Sequence, residues 1–179
     1  MDQKFSADVF IAMSLDGFIA TKTNGLDWLE IVQDPQQDYG YKIFMDSIDT
    51  LLLGRNTYDI VCSFGDWPYS GKRVVVLSNR PIVPIADEIR MEGSLRSTLE
   101  ELRKLGSRKI YLDGGKLIQQ SLRENVVDSI TLSIIPIILG EGIPLFDRIE
   151  RLKKLKQMGV QSFPSGLVQI KYEPLKGET

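Results

Sequence analysis

Short apolar segments alternate along this chain with segments of helical periodicity, and this alternation limits the fold more than any other feature. Apolar runs with the length and density of strands buried on both faces lie at residues 6–14, 50–53, 73–77 and 109–112. Helical segments are predicted at 35–47, from Gly54 onward, at 94–106 and at 115–123. Strands joined by helices form parallel sheets that are covered on both faces. The sequence therefore predicts an α/β fold with a mainly parallel central sheet.

The last third of the chain departs from that alternation. Residues 127–135 predict a longer strand, and the segment LKQMGVQSFPSGLVQIKYEPL alternates apolar and polar residues around a Pro-Ser-Gly turn, which predicts an antiparallel hairpin. No linker or repeat divides the 179 residues, so we expect residues 1–179 to form a single domain. The run SITLSIIPIILG is long and apolar for a strand near the end of a sheet. Because exposed edges of that kind are usually paired, we expect a homodimer.

Composition excludes several kinds of chemistry. The chain has no histidine, which removes Ser-His-Asp and Cys-His nucleophilic catalysis and argues against a catalytic zinc ion. Catalysis would have to use carboxylates, hydroxyls, lysine, arginine, water or a bound cofactor. The 22 Lys and Arg balance 24 Asp and Glu without a block of either sign, so we expect neither a nucleic-acid nor a membrane partner. No N-terminal signal and no apolar run near the ~20 residues of a membrane span are present, which predicts a cytoplasmic protein.

Two adjacent glycines, Gly114 and Gly115, stand between a predicted strand and a predicted helix. Without Cβ atoms, such a turn lets a ligand lie against the backbone. The first-turn N–H groups of the helix, with Lys116 nearby, would then face a negatively charged group such as a diphosphate. The alternative is a tight turn that allows close packing of the helix on the strand. The segment is not GxGxxG, and no P-loop motif is present.

Two further strand ends carry residues that suit phosphate. In LLLGRNTYD, Gly54 follows a strand, and Arg55 and Thr57 lie in the first turn of the next helix. The alternative for Arg55 is an ion pair with Asp59 at i+4, and for Thr57 a role as a cap.

In VVVLSNRP, the strand ends at Ser78, Asn79 and Arg80. An arginine beside two short polar residues suits a ribose phosphate better than a free ribose, which would favour an acid. The alternative is that Ser78 and Asn79 only turn the chain. Taken together, the three turns predict a site for an extended dinucleotide that carries an extra phosphate.

The chain resembles the dihydrofolate reductase superfamily in five segments that occur in the same order. They are FIAMSLDGFIA, LLLGRNTYD, VVVLSNRP, IYLDGGKLIQQSL and PIILGEGIPLF. The closer likeness is to the reductase domain of bacterial riboflavin biosynthesis and its stand-alone relatives. The resemblance implies a dihydrofolate reductase-like sheet of about eight strands, with helices on both faces and a C-terminal antiparallel pair. It also implies an NADPH-dependent reductase.

The resemblance assigns roles to residues on the cofactor side. Gly54, Arg55 and Thr57 on one turn, and Gly114 and Gly115 on another, would hold the diphosphate, with Lys116 and Leu117 in the first turn of the helix that follows. Ser78 and Arg80, with the neighbouring Asn79, would take the adenosine 2′-phosphate.

On the substrate side, the resemblance places the backbone of Ala12 near the nicotinamide. Residues 15–27, including Asp16, would border the reacting ring, and Trp28 would lie near cofactor or substrate. The alternative for Trp28 is a packed aromatic side chain that anchors the loop.

Asp38 corresponds, by counting back without a gap from Gly54, to the acid that binds the pteridine in dihydrofolate reductases. It would orient an amino-pyrimidine ring and, directly or through ordered water, supply the proton beside the hydride acceptor. The alternative is an acid in the first helical turn that is favoured by the helix dipole.

These residues predict hydride transfer from NADPH to a C=N or C=O carbon of a small heterocyclic or ribosylamino compound. The favoured substrate is the aminouracil of riboflavin biosynthesis, 5-amino-6-(5-phosphoribosylamino)uracil. Two alternatives stay open: dihydrofolate reductase activity, and an NADPH-binding protein without catalysis.

Overall fold

A twisted sheet of eight strands runs through the molecule in the order β5-β4-β3-β6-β1-β7-β10-β9. The computed structural model describes residues 5–147 and 152–175. The eight strands are β1 (Ser6–Ser14), β3 (Thr50–Gly54), β4 (Arg73–Leu77), β5 (Ile89–Met91), β6 (Lys109–Asp113), β7 (Ser129–Ile135), β9 (Leu155–Ser162) and β10 (Val168–Pro174). The first six in spatial order are parallel, and β10 and β9 add an antiparallel pair at one edge.

Helices cover both faces of this sheet, because the interior strands carry apolar side chains on both sides. The helices are α1 (Tyr41–Ser47), α2 (Arg55–Cys62), α3 (Leu95–Lys104) and α4 (Gly115–Arg123). Leucines and isoleucines of α3 and α4 pack against one face, and α2 packs against the other with Tyr58 and Val61. A 3₁₀ helix at Asp27–Val32 and a small separate pair, β2 (Phe18–Ala20) with β8 (Ile143–Pro144), complete the architecture.

The predicted fold class is confirmed. Strands occur at all four apolar runs, and the Pro-Ser-Gly segment turns an antiparallel hairpin between β9 and β10. Ser94 caps α3 by accepting a hydrogen bond from the backbone N–H of Ser97, as its type and position predict. The strands that periodicity did not identify, β2, β5 and β8, are only two or three residues long.

The helix predicted at 35–47 is much shorter, because it begins at Tyr41. Tyr39 and Gly40 both have positive φ, at 54° and 78°, and a right-handed helix cannot continue through such residues. Asp38 therefore lies before the helix and not within its first turn.

The position expected for strand 127–135 is also wrong. β7 lies between β1 and β10, so it is an interior strand, and its apolar sequence follows from burial on both faces. The edge of the sheet is instead β9, all of whose residues are exposed. Within the described part of the chain, no helix is long and apolar enough to cross a membrane.

Candidate active site

The three glycine-containing or polar turns lie side by side along one edge of the sheet. Strands β4, β3 and β6 are adjacent and parallel, and their carboxyl ends are in register, since Gly54 pairs with Leu77 and Leu53 pairs with Asp113. The turns that follow them therefore converge. We call residues 54–57, 78–80 and 114–117 the rim.

Direct contacts join the three turns of the rim. A Cβ placed on Gly54 would lie 3.7 Å from Cβ of Leu117, and Gly114 lies against the side chain of Thr57. The Arg55 guanidinium crosses to the second turn and donates to the backbone oxygen of Pro81. The rim is consequently one continuous surface at the carboxyl edge, where ligands of open α/β sheets bind.

Internal packing explains why both residues of the pair are glycines. Gly114 has φ +116°, and a Cβ there would lie 2.5 Å from Oγ1 of Thr57. A Cβ on Gly115 would lie 2.7 Å from Cδ1 of Ile19. The geometry therefore supports close packing as the reason why Gly114 and Gly115 have no side chain.

The N-termini of α2 and α4 open onto the rim without a capping side chain, because both N-cap residues are glycines, Gly54 and Gly114. Uncapped first-turn N–H groups, together with the positive end of the helix dipole, form an anion site. Lys116 is exposed in the first turn of α4. This arrangement suits a diphosphate.

Two predicted phosphate ligands are largely occupied by protein groups. Nε of Arg55 donates to both carboxylate oxygens of Asp59, at 2.8 and 2.9 Å, which is the i+4 ion pair considered as the alternative. The buried hydroxyl of Ser78 donates to the backbone oxygen of Arg80 and accepts from its N–H, so it shapes the turn. Arg55 and Ser78 therefore position the rim more than they offer donors to a ligand.

Asn79 and Arg80 are exposed beside Ser78. Among residues 5–147 and 152–175, no acid forms an ion pair with Arg80 or with Lys116. Their cationic groups remain available to a ligand. A further arginine, Arg90 of β5, approaches the Ser78 carbonyl but is paired with Glu92.

A pocket of about 520 Å³ lies where β1 and β7 meet the segment that leads into α1, and β1 is the strand next to β6 of the rim. Its walls are mainly apolar and aromatic: Phe10, Leu29, Val32, Tyr41, Ile135 and Leu167. Ala12 lines it beside Ser133, its register partner on β7. The volume lies within the range of small-molecule sites, and the approach of Ala12 to a nicotinamide stays a prediction.

Asp38 also lines the pocket, but its carboxylate is committed to the backbone. It accepts hydrogen bonds from the N–H groups of Lys42, at 2.8 Å, and Gly40, at 3.0 Å. These bonds lower the pKa of Asp38 below its usual value. A carboxylate held ionised in this way caps α1 and is a poor proton donor, so its geometry favours a helix-terminal role and not catalysis.

Asp16 and Trp28 do not line the pocket. The Asp16 carboxylate accepts from the Ser14 hydroxyl and from two backbone N–H groups, those of Leu139 and Gly140, and these bonds lower its pKa. It ties two loops together. Trp28 is buried in an apolar cluster behind the pocket with Ile135, as the packing alternative predicts, and its indole N–H has no acceptor among the described residues.

Asp113 was missed by the reasoning from sequence. It ends β6, immediately before Gly114, and lies on the same face of the sheet as Tyr111. Burial raises the pKa of Asp113 to about 6. Burial also raises the pKa values of Tyr41 and Tyr69, and the charge of Asp113 raises them further. Asp113 therefore ends its strand at the rim and acts electrostatically on Tyr41 of the pocket wall, although it does not itself line the pocket. An acid that ends a buried apolar run beside paired glycines was the signal that could have identified it.

Comparisons with known proteins match this chain over nearly its whole length. A family model described as the RibD C-terminal domain matches residues 8–169. The uncharacterized protein YwjB of Bacillus subtilis (strain 168) is 32% identical over 167 residues, which cover 92% of this chain and 95% of that protein.

Solved structures share the architecture. A Shewanella sp. PV-4 protein described as "Putative riboflavin biosynthesis protein" has a TM-score of 0.91 at 38% identity, over 96% of this chain and all of that one. Dihydrofolate reductase from Enterococcus faecalis, complexed with NADP(H), has a TM-score of 0.67 at 17% identity, over 94% of this chain and 96% of that one. The fold is dihydrofolate reductase-like, as the resemblance implied.

Proposed function

The chain belongs to the RibD C-terminal domain family, and from that premise we propose that it is an NADPH-dependent reductase. It would transfer a hydride to a C=N or C=O carbon of a small heterocyclic or ribosylamino compound. The observation that supports this best is that the rim follows the carboxyl ends of β4, β3 and β6, and that β1, the next parallel strand, carries Ala12 in the wall of the pocket.

The rim has the donors that a phosphorylated dinucleotide requires. The uncapped first turns of α2 and α4, with Lys116, would bind the diphosphate, and Arg80 would bind the adenosine 2′-phosphate. Arg55 and Ser78 would hold the turns in place through their internal bonds. When bound, the cofactor supplies the hydride, and the protein supplies alignment and exclusion of water.

We propose Asp113 as the proton donor in place of Asp38. A carboxyl group with a pKa of about 6 is partly protonated near neutral pH, which suits a general acid, whereas a lowered pKa does not. Asp113 is the last residue of β6, and β6 pairs with β1, which carries Ala12, so Asp113 lies on the sheet edge that the cofactor and substrate sites would share. Tyr41, whose ring lines the pocket, would position the substrate ring.

A cofactor titration tests the proposal. Wild-type protein is expected to bind NADPH much more tightly than NADH, and Arg80→Ala is expected to weaken NADPH binding about 10- to 100-fold, the range for one charge-assisted contact, without affecting NADH. Arg103→Ala, an exposed arginine of α3, is the matched control. Equal affinity for both cofactors, or a preference that survives in Arg80→Ala, would contradict the assignment of the rim.

Turnover separates the reductase from a binding protein. Oxidation of NADPH should follow addition of a ring substrate with a reducible C=N or C=O bond. The candidates are the aminouracil of riboflavin biosynthesis, with or without its phosphate, and dihydrofolate. NADPH binding without oxidation across that panel would favour the non-catalytic alternative.

The expected homodimer is proposed for the β9 edge. Met158 and Val160 are 45% and 56% exposed on that strand, and β9 has a sheet partner on one side only within the described chain. Unpaired strands with apolar exposure tend to pair. Light scattering at micromolar concentration should give a dimer, and Val160→Lys should give a monomer; a wild-type monomer would refute the proposal.

A further inference from the structure

The pocket differs from the rim in the sign of its charge. Its lining includes two acids, Asp34 and Asp38, and among the residues the structure describes it includes no lysine or arginine. Because two backbone N–H groups lower the pKa of Asp38, that acid stays negatively charged at neutral pH. A ligand in this pocket therefore meets negative charge.

The helix that begins at the pocket offers nothing to an anion either. The first N–H groups of α1 are taken by Asp38: the N–H of Lys42 bonds to its carboxylate, and the N–H of Tyr41 bonds to its backbone oxygen at 3.0 Å. Gly40 also donates to the carboxylate. The N-terminus of α1 is thus already neutralised by a protein carboxylate.

The lysines nearest to the pocket in sequence, Lys42 and Lys171, interact with groups outside it. Lys42 is exposed and pairs with Asp46. Lys171 of β10 does not line the pocket, and its charge acts on Asp8. Gln169, two residues before it on the same strand, donates its amide to Ser133 and to the Tyr39 carbonyl, which belong to two residues of the pocket wall.

The carboxylates of Asp34 and Asp38 are the only charged side chains in the described lining of the pocket. One Asp34 oxygen accepts from the N–H of Gln36, and its second oxygen has no donor among the described residues. Gln33 adds an amide group to the lining. Apolar walls flank these groups. Both carboxylates are exposed at the pocket, and no cation among its described lining residues compensates them, so they favour ligands with N–H donors and repel negative charge.

We propose that the substrate is an uncharged or cationic nitrogen heterocycle with N–H donors and no phosphate group. This inference rests on the proposed reductase function and narrows it, since it excludes the phosphorylated form of the aminouracil favoured from the sequence. The chemistry implies that a phosphate-removing or phosphate-independent reaction supplies the substrate.

The test compares two ligands that differ only in the phosphate, 5-amino-6-(ribosylamino)uracil and its 5′-phosphate, under anaerobic conditions with saturating NADP⁺. Binding is measured by calorimetry, and turnover with NADPH gives kcat/KM. The unphosphorylated compound is expected to bind at least about tenfold more tightly, as repulsion from one uncompensated charge predicts. Equal or tighter binding of the phosphate, or no binding of either compound, would overturn the inference.

A matched pair of variants checks that charge is the cause. Gln33→Lys adds a cation to the pocket lining and should reduce the discrimination against the phosphate several-fold, whereas Gln33→Met, of similar size, should preserve it. If both variants changed the ratio equally, electrostatics would not explain it. The proposed function fails separately, through loss of NADPH binding or of Arg80-dependent cofactor preference, so the two failures are distinguishable.

Discussion

The rim and the pocket lie along the same edge of one sheet, but their helix N-termini are satisfied in opposite ways. At the rim, α2 and α4 begin at glycines that cannot cap them, and Arg80 and Lys116 have no acidic partner in the described chain. At the pocket, α1 also follows a glycine, Gly40, but the carboxylate of Asp38 accepts from the N–H groups of Gly40 and Lys42.

The difference teaches how one fold could separate the two proposed ligands, which differ in charge. An uncapped helix leaves N–H groups that attract an anion, and a helix capped by a carboxylate presents a negative charge in the same place. Because a glycine precedes all three helices, the difference comes from Asp38, which lies just before Gly40 and bonds to the start of α1 without any change in the strands. Asp113 ends β6, which neighbours the pocket strand β1, and its burial there raises its pKa.

The largest effect is expected from Asp113→Asn, which removes the proposed acid. The variant should lower kcat by about 100-fold or more while leaving the affinity for NADPH within about twofold, since general acids contribute roughly 10²–10⁴. Wild-type kcat/KM should fall as pH rises through about 6, and this fall should be absent in the variant. Stopped-flow and steady-state kinetics across pH provide the measurement.

Stability provides an independent reading of the same residue. Because burial raises the pKa of Asp113 above the unfolded value of 3.8, the folded protein binds its proton more tightly than the unfolded chain does. Its contribution to the free energy of unfolding is therefore fully present below about pH 4 and declines as pH rises through about 6. Asp113→Asn should flatten that decline in urea unfolding; an unchanged pH slope would show that the carboxyl is not buried as described.

The second effect concerns the packing of the rim. Gly114→Ala should lower the free energy of unfolding by about 2 kcal/mol or more, because Ala disfavours φ +116° and its Cβ would meet Oγ1 of Thr57. Adding Thr57→Ala should recover part of this loss. Gly115→Ala is the matched comparison and should cost less, since it meets only the flexible end of Ile19. Equal losses would mean that neither contact limits the turn.

The smallest effect is expected from Gly54→Ser, which would cap α2 and so make the rim more like the pocket. Gly54 has φ −72° and ψ 152°, which suits a serine N-cap, and its Cβ would meet only Leu117 at 3.7 Å. Gly54→Ser should stabilise the free protein by a few tenths of a kcal/mol and weaken NADPH binding several-fold, because the hydroxyl occupies an N–H group. Tighter NADPH binding in this variant would show that the open N-terminus of α2 does not serve the cofactor.

Much of the architecture followed from local patterns. The apolar runs predicted the long strands, Ser94 predicted the start of α3, and parallel strand direction implied that the three turns share one edge. The short strands and the start of α1 did not follow, because two-residue pairings and the positive φ of Tyr39 depend on contacts with other segments.

By itself, the sequence determined the order of strands and helices and the carboxyl edge at which the rim lies, because periodicity and strand direction are set by neighbouring residues. Only the tertiary structure decided which candidate groups are free to meet a ligand. Arg55 pairs with Asp59, and the Ser78 hydroxyl bonds to the backbone of Arg80. The Asp38 carboxylate accepts from an N–H group at the start of α1. Burial of Asp113 likewise arises from residues distant in the chain, and desolvation cannot be read from a residue's immediate neighbours.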